Sequence, residues 1–177
     1  MHQGTRFFMA TIIKLLQGDI TKLNFDAIVN AANTSLALGG GVCGAVFHAA
    51  GPGLYEECQQ LKGCKTGEAK ITKGYNLPAR HIIHAVGPVW NGGNNNEQSL
   101  LGDAYQSSLQ LAVQNKLKTI AFPNISTGIY GFPKQLAAEI ACKKVNEFCL
   151  ENHELEEVIF VCFDTENYKI YKSLINL

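Results

Sequence analysis

Ala27-Ile28-Val29-Asn30-Ala31-Ala32-Asn33-Thr34-Ser35-Leu36-Ala37-Leu38-Gly39-Gly40-Gly41-Val42-Cys43-Gly44 decides the fold class. Ala27–Val29 is a short, unbroken apolar run ending at Asn30, as in a strand covered on both faces. Gly39-Gly40-Gly41 breaks the pattern, and Val42–Ala50 resumes it with helical spacing. A strand, a glycine loop and a helix in that order make half of an α/β unit.

The rest of the chain repeats the alternation. Strands are predicted over 7–17, near 68–75, over 81–86, at Thr119–Phe122 (closed by Pro123) and over 158–163. Helices are predicted around 53–62 and over 97–116, 134–151 and 165–175. The 97–116 segment sets Leu101, Ala104, Tyr105, Leu109, Ala112 and Val113 on one face, three and four apart. Several strands are apolar throughout. The expected fold is therefore α/β, with a mostly parallel or mixed sheet covered on both sides. Ligands of such sheets bind at the carboxyl ends of the strands, so loops that follow strands matter most.

Composition bounds the function. The chain has 177 residues, 46% of them hydrophobic and only 17% charged, with 15 basic balancing 15 acidic. That supports one domain with a sizeable core over 1–177, its core at about 10–175 and residues 1–6 a loose N-terminal extension. It excludes a disordered chain. The neutral charge lends no support to a nucleic-acid partner. No apolar run approaches membrane length, and no signal peptide is visible at the start. The six cysteines, at 43, 58, 64, 142, 149 and 162, form no C-x-x-C pair and no zinc spacing. They read as small buried hydrophobes of a reducing, cytoplasmic protein, and no metal is expected. His48, His81 and His84 lie in apolar surroundings and read as structural.

Two loops follow strands and open helices. One is Asn30–Gly44; the other is Pro123-Asn124-Ile125-Ser126-Thr127-Gly128-Ile129-Tyr130-Gly131-Phe132-Pro133. Their glycines let backbone N–H groups turn toward an anion, and each helix N-terminus adds partial positive charge. Neither has a G-K-[ST] triplet, so a nucleoside triphosphatase is excluded. Neither holds Lys or Arg, which fits a diphosphate held by backbone amides. Gly39–Gly44 matches G-x-G-x-x-G, and a nicotinamide-dependent oxidoreductase is the remote alternative. Against it, the glycines follow the strand by nine residues, and no acidic residue ends the next strand.

Gln17-Gly18-Asp19-Ile20-Thr21, Val29-Asn30-Ala31-Ala32-Asn33, Gly39-Gly40-Gly41-Val42, His84-Ala85-Val86-Gly87-Pro88 and Ile125-Ser126-Thr127-Gly128-Ile129-Tyr130-Gly131 occur in order. This series resembles the macrodomain family, close to its MacroD-type branch of ADP-ribosyl hydrolases and O-acetyl-ADP-ribose deacetylases. The resemblance covers roughly 10–175. It implies a three-layer α/β/α sandwich with a central mixed sheet, and an ADP-ribose cleft at one edge. It implies ADP-ribose, or an ADP-ribosylated small molecule or protein, as partner, and no cofactor.

By the same resemblance, Asp19 would accept from the adenine amino group and the Ile20 backbone would meet the ring. Phe163 would stack on the adenine face, an interaction of roughly 1–3 kcal/mol. Gly40, Gly41 and Val42, with Ser126, Thr127, Gly128, Ile129 and Tyr130, would wrap the diphosphate and distal ribose. Asn33 would bind the distal ribose hydroxyls through an amide that both donates and accepts. Each residue also has a plainer reading: Asp19 as a turn cap, Phe163 as core, Asn33 as a turn residue, Tyr130 as an exposed loop aromatic.

The chain departs from that branch at one place. The hydrolases are similar to Gly-Gly-Gly-Val-Asp-Gly-Ala-Ile-His-Arg, whereas this chain reads Gly39-Gly40-Gly41-Val42-Cys43-Gly44-Ala45-Val46-Phe47-His48. Cys43 stands where the family's catalytic aspartate would be, and Phe47 where its histidine would be. A thiol is a poor general base, and losing a positioned one costs about 10²–10⁴-fold. Three outcomes follow: ester hydrolysis aligned by Asn33 and the two loops, a non-catalytic ADP-ribose reader, or a chemically active Cys43 near a helix N-terminus.

Overall fold

The computed structural model describes residues 9–175. Six strands form one sheet: β1 (Ile12–Gln17), β2 (Ala27–Ala32), β3 (Ala69–Lys73), β4 (His81–Val86), β5 (Thr119–Phe122) and β6 (Glu157–Cys162). Five helices connect them: α1 (Gly41–Ala50), α2 (Pro52–Gln60), α3 (Glu97–Gln114), α4 (Lys134–Glu151) and α5 (Thr165–Ile175). The strand order is β1-β6-β5-β2-β4-β3. All neighbours pair parallel except β3, which runs antiparallel to β4 at the edge.

Alternation along the strands divides the core in two. Val29, Ile83, Phe122, Val158 and Phe160 face α3, α4 and α5, where Leu101, Tyr105, Ala141 and Tyr171 meet them. Ile28, Ile82, Ala121 and Ile159 face α1 and α2, packing on Val46, Phe47, Leu54 and Cys58. The result is an α/β/α sandwich around a mixed sheet. Burial of two faces explains the unbroken apolar strands.

The sequence placed every element, with shifted ends. β2 runs on to Ala32 because Asn30, Ala31 and Ala32 pair with His84, Ala85 and Val86. β1 begins at Ile12, so 9–11 of the predicted strand lie outside the ladder, and 7–8 lie outside the described residues, as does the expected extension at 1–6. α2 stops at Gln60, and Lys62 and Gly63 follow with φ of 57° and 83°. β6 ends at Cys162, which releases Phe163 from the ladder. All six cysteines are free and buried. Among the described residues, no helix is long and apolar enough to cross a membrane.

Candidate functional site

The parallel strands all end on the same side, and there a cleft of about 560 Å³ crosses their tips. Asp19 and Ile20 come from the tip of β1 and Phe163 from β6. Ser126–Tyr130 come from β5, and Asn33 and Gly40–Cys43 from β2 and the start of α1. Every candidate site residue read from the sequence therefore lines one cavity.

Asp19 caps the single 3-10 turn Ile20–Lys22. Its Oδ1 accepts the Thr21 backbone N–H at 2.9 Å and the Thr21 hydroxyl at 2.7 Å. The hydroxyl bond is the main reason that its carboxyl is held below the usual range. Capping takes only Oδ1, which leaves Oδ2 without a protein donor among the described residues. Phe163, beside it, is 79% exposed. A core role for Phe163 is thereby excluded, and its ring is available to a ligand.

At the other end, Asn33 is tied into its own turn. Its Nδ2 donates to Ala37 O at 2.9 Å, and its Oδ1 accepts from Ser35 Oγ at 2.9 Å and Ala37 N at 3.0 Å. The amide is thus held rigid at the cleft edge. Gly40 then caps α1 without any side-chain hydrogen bond. First-turn N–H groups have no intrahelical acceptor, so those of Gly41, Val42 and Cys43 remain for an anion, favoured by the helix dipole.

The facing loop is built around Ser126, a non-glycine residue at φ 66°. Its carbonyl accepts from Phe132 N at 2.9 Å, and Gly131 N closes a turn on Gly128 O at 3.0 Å. Buried Ser126 Oγ has no partner among the described residues. It lies so near Gly87 that a Cβ there would fall 2.2 Å away. Tyr130 O accepts from Trp90 N at 2.9 Å, and the Trp90 ring packs on Phe132 with centroids 4.7 Å apart. Ile129 is 87% exposed, and its Cδ1 would meet a Cβ on Gly40 at 3.0 Å. The two loops thus nearly touch over the cleft.

Cys43 is 5% exposed. Its thiol donates to Ala37 O at 3.5 Å and accepts from Asn30 Nδ2 at 3.7 Å. Burial pushes the thiol up, outweighing the Asn30 and Gly39 hydrogen bonds that favour the thiolate. Burial therefore works against the helix N-terminus, which would favour the thiolate. Phe47 is core, edge-on to Tyr55 at 4.9 Å. Beneath the cleft, fully buried His84 bonds Asn30 Nδ2 at 3.1 Å through Nδ1 and Thr72 Oγ1 at 2.9 Å through Nε2. Burial pushes its pKa down to about 4, so it is neutral at pH 7. The structural reading suits His84, whereas His48 lies exposed on α1 rather than in apolar surroundings.

Sequence reasoning missed Lys134, Asp164 and Asn167, which also line the cleft. Asp164 receives the Asn167 N–H and Nδ2, each at 2.8 Å. Burial opposes ionisation of Asp164, but these bonds hold its carboxyl below the usual range. Lys134 pairs with Glu166. The spacing Asp164-x-x-Asn167 ahead of an amphipathic run was a capping signal that could have found two of them. The G-x-G-x-x-G reading fails on topology, because the strand after those glycines is antiparallel β3. Among the described residues, no cluster of three His, Cys, Asp or Glu is placed to hold a metal.

Comparison with known proteins agrees with this architecture. The model of the family described as Macro domain matches residues 29–141. A protein of Escherichia fergusonii named O-acetyl-ADP-ribose deacetylase is 54% identical over 171 residues, covering 94% of this chain and 97% of that one. The Oceanobacillus iheyensis macrodomain solved with ADP superposes with a TM-score of 0.91 at 42% identity, over 97% of this chain and 93% of that one. The Trypanosoma brucei macrodomain in complex with ADP-ribose gives 0.88 at 44% identity, over 92% and 68%. A family match over 29–141, together with a relative 54% identical over 94% of this chain's length, shows that the chain belongs to the Macro domain family.

Proposed function

We propose that this chain is a single macrodomain that binds ADP-ribose in the cleft and hydrolyses an ADP-ribose ester. The ester is the acetyl ester of O-acetyl-ADP-ribose, or mono-ADP-ribose on an acidic side chain. Water and ester give the free acid and ADP-ribose. One observation carries the reading: a carboxylate acceptor beside an exposed aromatic ring, two amide-rich turns and a rigid Asn33 share one cavity in that order. Its 560 Å³ suits a ligand of this size.

In this reading Asp19 Oδ2 accepts from the adenine amino group, the Ile20 backbone meets the ring and Phe163 stacks on it. Gly40–Val42 and Ser126–Tyr130 hold the diphosphate through backbone N–H groups. Asn33 aligns the distal ribose with the attacking water. Proximity of this kind contributes several kcal/mol. No carboxylate is assigned as base, and Cys43 braces the Asn33 turn through Ala37 O rather than attacking. The similarity to the E. fergusonii deacetylase supports turnover. The raised thiol at position 43 favours a second reading, a reader that binds without turnover. The buried free thiols fit a cytoplasmic protein.

Proton NMR of O-acetyl-ADP-ribose, with protein at catalytic and then stoichiometric concentration, tests both. Acetate released above the spontaneous rate establishes the hydrolase. Broadened adenine and ribose signals without acetate establish the reader. The absence of both acetate and broadening refutes the ADP-ribose assignment.

A further inference from the structure

A shallow, open hollow lies in the loop between α2 and β3, lined by Thr34, Lys62, Cys64, Lys65, Glu68 and Lys70 among others. Its Thr34 follows Asn33 of the cleft in the chain, so the two linings meet at that peptide. The junction is fixed. Cys64 N donates to Thr34 O at 2.8 Å, and a Cβ on Gly63 would fall 2.8 Å from the same carbonyl, so only glycine lets the loop come this close. Lys70 turns inward and donates to Leu61 O at 2.7 Å and to Gly63 O. Lys62 and Lys65 remain exposed, and neither forms an ion pair with a described residue. Glu68 is the one carboxylate of the lining, against three lysines.

The sheet order gives this hollow its place along a bound ligand. The cleft runs from the β1 tip past β6 and β5 to β2, three strand spacings or about 14 Å. With adenine at Asp19, the distal ribose and its ester lie at Asn33. A carrier that continues in the same direction meets β4, next in the strand order, and the α2–β3 loop, whose Gly67 N donates to Val86 O at the β4 tip at 2.8 Å.

We propose that this loop is a subsite for the carrier, selecting a polypeptide whose modified carboxylate has Asp or Glu neighbours, which Lys62 and Lys65 meet. The inference rests on the ADP-ribose reading. An acetyl group is too short to reach the loop, so the subsite distinguishes protein esters from the small-molecule ester. Exposed pairs are individually weak and salt-sensitive, so the preference is modest and electrostatic.

The test is calorimetric titration with peptides carrying ADP-ribose through an amide in place of the ester, one with acidic flanks and one with the same flanks as Asn and Gln. Free ADP-ribose is the reference. Wild-type protein is expected to bind the acidic peptide about tenfold more tightly at low salt, the gap closing as salt rises. Lys62→Glu with Lys65→Glu is expected to erase or invert the preference while affinity for free ADP-ribose stays within about twofold, which also shows that the variant is folded. Equal binding of both peptides by the wild type, or a preference that survives the double substitution, overturns the subsite. Wild-type protein that ignores free ADP-ribose refutes the parent reading, and the subsite with it.

Discussion

Asp19→Asn and Asp19→Ala are expected to part company, because the carboxylate does two things with two oxygens. Oδ1 caps the Ile20–Lys22 turn through Thr21, and Oδ2 is left for the ligand. Asparagine keeps an oxygen for the cap but sets an N–H₂ donor toward the adenine amino group. A hydrogen bond to a charged acceptor contributes about 1.5–3 kcal/mol, so affinity for ADP-ribose should fall roughly 10–150-fold in both variants. Stability should divide them. Loss of the cap in Asp19→Ala costs about 1 kcal/mol, or a Tm lower by about 2–4 °C for a chain of this size, while Asp19→Asn stays near wild type. Calorimetry with ADP-ribose and its hypoxanthine analogue, whose ring bears a carbonyl in place of the amino group, adds a specificity readout. Wild type should reject the analogue and Asp19→Asn should favour it. The reasoning is refuted if Asp19→Asn binds ADP-ribose as wild type does, or if its preference between the two bases is unchanged.

Other expectations follow from the same geometry. His84 has its pKa lowered by burial to about 4, so the unfolded chain takes up its proton first as pH falls. Stability should be complete above about pH 6.5 and decline toward pH 4, by about 2 kcal/mol at pH 5; urea melts should show a shallower decline in His84→Gln. The raised Cys43 thiol should resist iodoacetamide at pH 7.5, and alkylation faster than at the other cysteines would restore the nucleophile reading. If position 43 is a vacated catalytic slot, Cys43→Asp should raise ester turnover about tenfold or more; no gain would agree with a route that uses no carboxylate there. Gly87→Ala drives a methyl group into Ser126 Oγ and to 2.5 Å from Ile125 Cγ2. It should cost about 1–3 kcal/mol in thermal unfolding and weaken ADP-ribose binding by shifting the Ser126 turn.

The sheet was legible because two-sided burial writes itself into runs such as Val158–Cys162. Both glycine loops were legible because each interrupts an apolar pattern between a strand and a helix. Asp19 and Asn33 each combine two readings that the sequence had set against each other: each supports its own turn and still lines the cleft. Asp164 and Asn167 announced themselves only as a helix cap, and Lys134 not at all, because all three reach the cleft only through the packing of the helices that carry them. Nothing in the serine itself announces the left-handed backbone at Ser126; Gly87, far off in the chain, makes room for it. The burial of Cys43 was legible along with that of the other cysteines, but its partners, Asn30 Nδ2 and Ala37 O, were not, since the fold-back of the loop supplies them.

The chain contains one tryptophan, and it is Trp90. Its backbone holds Tyr130 and its ring rests on Phe132, at the foot of the loop that closes over the cleft. Its emission is therefore an unlabelled optical gauge of that loop, free of background from any second indole. Rapid mixing with ADP-ribose would time the settling of the loop separately from any chemistry, and Trp90→Phe would supply the dark control.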